Sequence, residues 1–141
     1  MSQFPTLNGF GPTRRTLQLY SRALSALARA HAPAHPQWWH ISLKITPDGL
    51  VTDNIPCGGG GILAGRMDFH RACIILHSSG GRSWSIPMDA GLSGSEMGDR
   101  VLAAAAEPGI TGEVDHARFA GDEPGHYDPD VVGRFFSALV L

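Results

Sequence analysis

The segment Trp38–Thr52, with the sequence WWHISLKITPDGLVT, decides the fold class of this chain. Its apolar residues at positions 39, 41, 43 and 45 alternate with more polar ones, which is typical of a half-buried strand. A Pro-Asp-Gly turn follows at 47–49, where proline presets φ and glycine accepts a positive φ. The segment therefore predicts a hairpin of two strands, with Leu43 and Ile45 facing the core.

The second face of the first predicted strand carries Trp38, His40, Ser42 and Lys44, which is the only lysine of the chain. A tryptophan and a histidine on this face indicate either a ligand surface or contact with a covering element. We therefore treat Trp38, His40 and Ser42 as candidate ligand-binding residues.

Three helices are predicted from apolar residues that repeat at three- and four-residue steps, each preceded by a capping residue. Thr13 precedes the first helix, Ser93 and Glu96 have capping-box spacing at the second, and Asp128 precedes a proline that opens the third. The predicted helices cover about 14–31, 94–106 and 129 onwards.

Short apolar runs between glycine, proline and serine turns predict an antiparallel meander. Beyond the opening strand, the predicted strands are 50–55, 62–69, 72–77, 82–86 and, after the second helix, 111–119. The order α-βββββ-α-β-α predicts an α+β fold, with an antiparallel sheet of five or six strands and three helices. We expect a single domain over 1–141, with an irregular segment at 1–12.

The composition argues against several classes of protein. The net charge of −2 leaves no basic excess for nucleic acid. No apolar run is long enough to cross a bilayer, and no secretion signal is recognisable at the N-terminus. The two cysteines, Cys57 and Cys73, form no spaced framework. We therefore expect a cytoplasmic protein with two reduced thiols and no disulfide.

Seven histidines raise the question of a metal or acid–base site. None of them stands in a recognised metal-binding spacing. The glycine run 58–61 is followed by Ile62 and Leu63 rather than by a lysine or a helix, so it does not match a nucleotide-binding loop. We expect neither a metal nor a cofactor. His40, His126 and Tyr127 are candidate catalytic residues if the fold brings them together.

Four short motifs stand out: Trp38-Trp39-His40, Thr46-Pro47-x-Gly49-Leu50-x-Thr52, Ile55-Pro56 and Tyr127-Asp128-Pro129. These motifs resemble a family of uncharacterised bacterial proteins that is catalogued as a domain of unknown function. The resemblance runs from about residue 13 to the end, and it implies no activity, cofactor or catalytic residue. Members of that family continue past the last helix, so the resemblance implies that this chain holds their first half.

Three functions are compatible with the sequence. The first is a non-enzymatic binding or assembly module that uses the sheet face of Trp38 and His40. The second is a small enzyme in which His40 acts with His126 or Tyr127. The third is a metal-binding protein that uses several histidines. The apolar last helix, which ends in Ala138–Leu141, predicts a homodimer, and a small molecule is a further expected partner.

Overall fold

A six-stranded antiparallel sheet forms the centre of the computed structural model, which describes residues 10–31, 43–52, 54–111 and 113–139. The helices are α1 (Phe10–His31), α2 (Gly94–Ala106) and α3 (Pro129–Leu139). The strands are β1 (Lys44–Thr46), β2 (Gly49–Val51), β3 (Ile55–Pro56), β4 (Ile62–Asp68), β5 (Cys73–Ser78) and β6 (Ser83–Pro87). The predicted α+β class is confirmed, with six strands and three helices.

The strands follow one another in space as β1-β2-β4-β5-β6, and β3 pairs with β4 beyond the end of β2. This order confirms the predicted meander. The predicted strand 50–55 is divided in two, because Thr52 leaves the regular ladder. Its backbone N–H donates to Gly65 O at 2.8 Å, and its hydroxyl accepts from Gly65 N at 2.9 Å. This side-chain bond replaces a ladder bond and separates β2 from β3.

The predicted strand at 111–119 is wrong for the part of it that the structure describes. Residues 113–119 contain no strand, and a short 3-10 helix covers His116–Arg118. The Asp115 side chain accepts a hydrogen bond from Ala117 N at 3.1 Å. This local bond offers the backbone an alternative to a sheet ladder. All six strands therefore precede α2.

The helix caps are confirmed at two of the three helices. Ser93 and Glu96 form a complete capping box at α2. The Asp128 carboxylate accepts from the first backbone N–H groups of α3. At α1 the prediction was wrong, because the helix already begins at Phe10 and Thr13 is buried inside it. Pro12 is tolerated there because the first-turn N–H groups of a helix have no intrahelical partner.

The core lies between the sheet and the two longer helices. α1 packs over β3 and β4, and α2 packs over β5 and β6. Fully buried side chains from both layers fill the space between them, among them Leu24, Leu27, Leu63, Met67, Ile74, Leu76, Met97 and Val101.

The edge strand β1 is less buried than the sequence predicts. Leu43 packs against the core while remaining partly exposed, but Ile45 is 55% exposed. The prediction for Ile45 was wrong, because β1 pairs only with β2 and lies beyond the strands over which α1 and α2 pack. Trp38, Trp39, His40 and Ser42 lie outside the described residues.

α3 returns to the end of the sheet. Val132 and Phe136 are buried, and the Phe136 ring meets the Phe69 ring edge-on with 4.9 Å between the ring centroids. Cys57 and Cys73 are free thiols, as predicted. Across the described ranges, no helix has both the length and the apolar character needed to cross a bilayer.

Candidate functional site

A cleft of about 830 Å³ opens between the N-terminal half of α1 and the loop 120–126. The helix contributes one wall and the loop contributes the facing wall. Leu92, which precedes α2, and Gly94, the first residue of α2, close the floor. Ligand sites are typically concave and largely preformed, with a few polar groups that orient the ligand. The volume lies within the usual range for small-molecule sites.

The backbone of the loop wall is fixed at both of its ends. Gly121 exchanges two hydrogen bonds of 3.1 Å with Ser95, in the first turn of α2. Gly125 N donates to Gly91 O at 3.1 Å, and His126 N donates to Thr16 Oγ1 at 2.7 Å. The wall is therefore preformed, and the segment 122–124 projects between its anchors.

Tyr20 forms the floor of the cleft beneath this loop. Its hydroxyl donates to Leu92 O at 2.5 Å. A Cβ on Gly125 would lie only 2.3 Å from that hydroxyl, so the loop can approach Tyr20 only with glycine at this position. Burial, followed by the charge of Glu96, raises the pKa of Tyr20 to about 12. Tyr20 is therefore neutral near pH 7 and acts as a structural donor.

The two walls carry opposite charges. Arg15 and Arg22 lie on the helix wall, whereas Asp122 and Glu123 lie on the loop wall. Arg15 and Glu123 meet at 3.6 Å across the cleft, and both side chains are well exposed. Within the described part of the chain, the side chains of Arg22, Asp122 and His126 make no hydrogen bond or ion pair. The cleft therefore combines a fixed frame with unpaired charged and polar groups.

The structure separates the two adjacent candidate residues His126 and Tyr127. His126 lines the cleft, but Tyr127 packs against the hydrophobic core on another side. The Tyr127 hydroxyl is buried without a hydrogen-bond partner among the described residues. Burial is the main cause that raises the pKa of Tyr127 to about 12, and the charges of Asp89 and Asp68 add to it. Of these two candidates, His126 is the one that lines the cleft.

The candidates Trp38, His40 and Ser42 lie outside the described residues, so their role as a ligand-binding face stays a prediction. The same holds for convergence of His40 with His126. Over the described ranges, no three histidine, cysteine, aspartate or glutamate side chains lie close enough together to hold a metal ion.

A second polar cluster, at the β4–β5 turn, has a structural role. The buried Asp68 carboxylate accepts the backbone N–H groups of His70 and Arg71, each at 3.0 Å. Arg66 lies 3.7 Å from its other oxygen. Because one carboxylate oxygen accepts both backbone N–H groups and the other lies near Arg66, Asp68 holds the turn in place.

The arginines and acidic residues of the cleft were not identified from the sequence. Arg15 and Arg22 are two helical turns apart, a spacing that places both on one side of a helix. That spacing is the one available signal. It does not reveal the facing loop, whose contact from His126 to Thr16 spans 110 positions in the chain.

A comparison with protein families finds one that matches residues 4–141, nearly the whole chain, and it is described as a family of unknown function (DUF5996). This match agrees with the resemblance to an uncharacterised domain family. Neither curated proteins nor solved structures match the chain. The protein belongs to the DUF5996 family of unknown function.

Proposed function

We propose that this protein is a non-enzymatic binding module whose ligand site is the cleft between α1 and the loop 120–126. The observation that supports this most is the combination of a fixed frame and unpaired side chains. Hydrogen bonds from Gly121, Gly125 and His126 hold the loop wall. Arg22 and Asp122, in contrast, face the cleft without a partner among the described residues. A polar ligand would supply the missing partners.

A binding role explains the cleft better than an acid–base reaction does. A general base works best with a pKa near the working pH. The pKa of Tyr20, the tyrosine of the cleft floor, is raised to about 12, and its hydroxyl is already engaged with Leu92 O. His126 lies in the cleft with its side chain open, but Tyr127 is not beside it there. The enzyme alternative therefore draws no support from this site.

The test is a screen of small polar fragments against the ¹⁵N-labelled protein, followed by NMR amide shifts. We expect binding fragments to shift the amides of Gly121, Gly125 and His126. The variant Gln18→Trp places a large ring on the helix wall of the cleft and is expected to abolish these shifts. Arg14→Trp is the matched control, because Arg14 is exposed on the same helix but does not line the cleft.

A screen without any cleft-specific shifts would contradict the proposal. So would fragments that bind Gln18→Trp and the unsubstituted protein equally well, because their site would then lie elsewhere.

A homodimer and a cytoplasmic location stay part of the proposal. On α3, Val132 and Phe136 are already buried within the chain, so they are not available to a partner. Among the described residues, Ile45 and Ile62 are the large hydrophobic side chains that remain exposed, and both belong to the sheet. Among the described side chains, the sheet therefore offers the exposed apolar residues for a dimer, and light scattering across a range of concentrations tests it. A mass of 15.0 kDa at every concentration would contradict the dimer.

A further inference from the structure

We infer that the ligand of the cleft is a small zwitterion that carries both a carboxylate and an ammonium group, as amino acids and short peptides do. This inference rests on the proposed binding function and names the class of ligand for the same site. It follows from the opposite charges of the two walls and from the side chains on each wall that have no partner among the described residues.

The helix wall is the carboxylate-binding side. Arg15, Gln18 and Arg22 follow one stripe of α1, at i, i+3 and i+7, and all three line the cleft. Arg22 makes no ion pair or hydrogen bond with any described residue. A guanidinium group presents its N–H donors in a planar fork that matches the two oxygens of a carboxylate. Arg22 is therefore the expected anchor for the negative end of the ligand.

The loop wall is the ammonium-binding side. Asp122 and Glu123 are consecutive and exposed, and both line the cleft. An ionised carboxylate only accepts hydrogen bonds, so it pairs with a donor such as an ammonium group. Glu123 is engaged with Arg15, whereas Asp122 has no partner in the described part of the chain. Asp122 is therefore the expected anchor for the positive end.

The existing ion pair shows that charges of the two walls can meet across the cleft. Arg15 and Glu123 approach to 3.6 Å across the cleft, so one pair of side chains spans it. Two helical turns further along α1, Arg22 makes no such contact with Asp122. A ligand that carries both charges would supply a partner to each of these two unpaired side chains of the cleft.

The same arrangement disfavours ligands of a single charge. A simple anion at Arg22 would face the acidic loop, and a simple cation at Asp122 would face the arginines. Repulsion of this kind discriminates between ligands as effectively as attraction does. Because these groups are exposed, each contact contributes modestly, and we expect loss of one ligand charge to weaken binding roughly five-fold.

The experiment compares three zwitterions with derivatives that lack one charge. The probes are leucine, glutamine and glycylglycine, each beside its N-acetylated and its C-amidated form, titrated by NMR amide shifts of the cleft residues. We expect at least one zwitterion to bind about five-fold more tightly than both of its derivatives. In the Arg22→Gln variant, this zwitterion should bind no more tightly than its C-amidated form. In the Asp122→Asn variant, it should bind no more tightly than its N-acetylated form.

Two matched substitutions control for a general change of charge. Arg14→Gln and Asp99→Asn alter exposed helical residues that do not line the cleft, and they should leave the preference intact. If a derivative with one charge binds as tightly as its zwitterion, or if no probe binds while screened fragments still occupy the cleft, the zwitterion inference is wrong and the binding module stands. If neither probes nor fragments bind the cleft, the proposed function itself fails.

Discussion

Two regions of this molecule use glycine for close approach, but with opposite results. Where α2 meets the segment that follows it, a Cβ on Gly98 would lie 2.0 Å from the Phe119 ring, and that ring is 1% exposed. At the cleft, Gly125 lets the loop approach the Tyr20 hydroxyl in a similar way. The first contact is fully closed, whereas the second leaves Arg22 and Asp122 open beside it. Close packing in the first region stabilises the fold, and in the second it holds a binding surface in place.

The largest effect on stability is expected at the buried contact between Gly98 and Phe119. Phe119→Ala removes a fully buried ring, and we expect it to lower the free energy of unfolding by about 3–5 kcal/mol. Urea denaturation followed by circular dichroism measures the change. A loss below about 1 kcal/mol would show that the ring is not part of the core.

The contact between α2 and the ring can be tested separately with Gly98→Ala. In the unsubstituted protein the added methyl collides with Phe119, and overpacking of this kind costs about 1–3 kcal/mol. In the Phe119→Ala background the collision is absent. Alanine is favoured over glycine inside a helix by about 0.5–1 kcal/mol, so the same change should be neutral or stabilising there. Equal costs in both backgrounds would refute the close contact.

Alkaline pH tests the burial of the two tyrosines of the chain. Tyr20 lies at the floor of the cleft, and Tyr127 packs against the core. Their pKa is raised from the ordinary 10.0 to about 12 for both Tyr20 and Tyr127, mainly because of burial. Folding therefore favours the protonated forms. The stability that they contribute is complete below pH 10 and is lost as the pH rises from 10 towards 12.

The phenolate absorbance of the folded protein should remain low at pH 10–11, and urea-unfolded protein should ionise near pH 10. Ionisation of the folded protein near pH 10 would contradict the burial of both rings.

A smaller difference in stability is expected when each tyrosine hydroxyl is removed in turn. Tyr20→Phe removes the donor to Leu92 O and should lower the free energy of unfolding by about 0.5–1.5 kcal/mol. Tyr127→Phe is the matched control, because its buried hydroxyl has no partner among the described residues and its loss should cost nothing. A larger loss for Tyr127→Phe than for Tyr20→Phe would reverse this assignment.

The smallest effect on stability is expected at the cleft. Arg22→Gln and Asp122→Asn change exposed side chains, and each should alter the free energy of unfolding by less than about 0.5 kcal/mol. Thermal unfolding measures this. A strong destabilisation by either variant would show that the side chain serves the fold rather than a ligand.

Local chemistry determined much of the fold. The capping box of Ser93 and Glu96 begins α2 where the sequence predicts it, because its hydrogen bonds form within one helical turn. The Asp128 cap begins α3 for the same reason. The prediction failed where a local alternative competed with the sheet, as at Asp115, and where burial depends on neighbours, as at Ile45.

Only part of the candidate site could be predicted from the sequence. His126 was identified as a candidate from its sequence alone, and it does line the cleft. Arg22 and Asp122 were not, because exposed charges on a helix and a loop look alike wherever they occur. The hydrogen bond from His126 N to Thr16 Oγ1 joins positions that are 110 residues apart and brings the two walls together.

The sequence by itself thus determined most of the helices and strands of this protein, since caps, turns and apolar periodicity act over a few residues. Only the tertiary structure decided which charges share a cleft and which of two adjacent residues, His126 or Tyr127, faces it. The physical reason is that contacts between distant segments depend on how whole faces pack, and no local pattern records that.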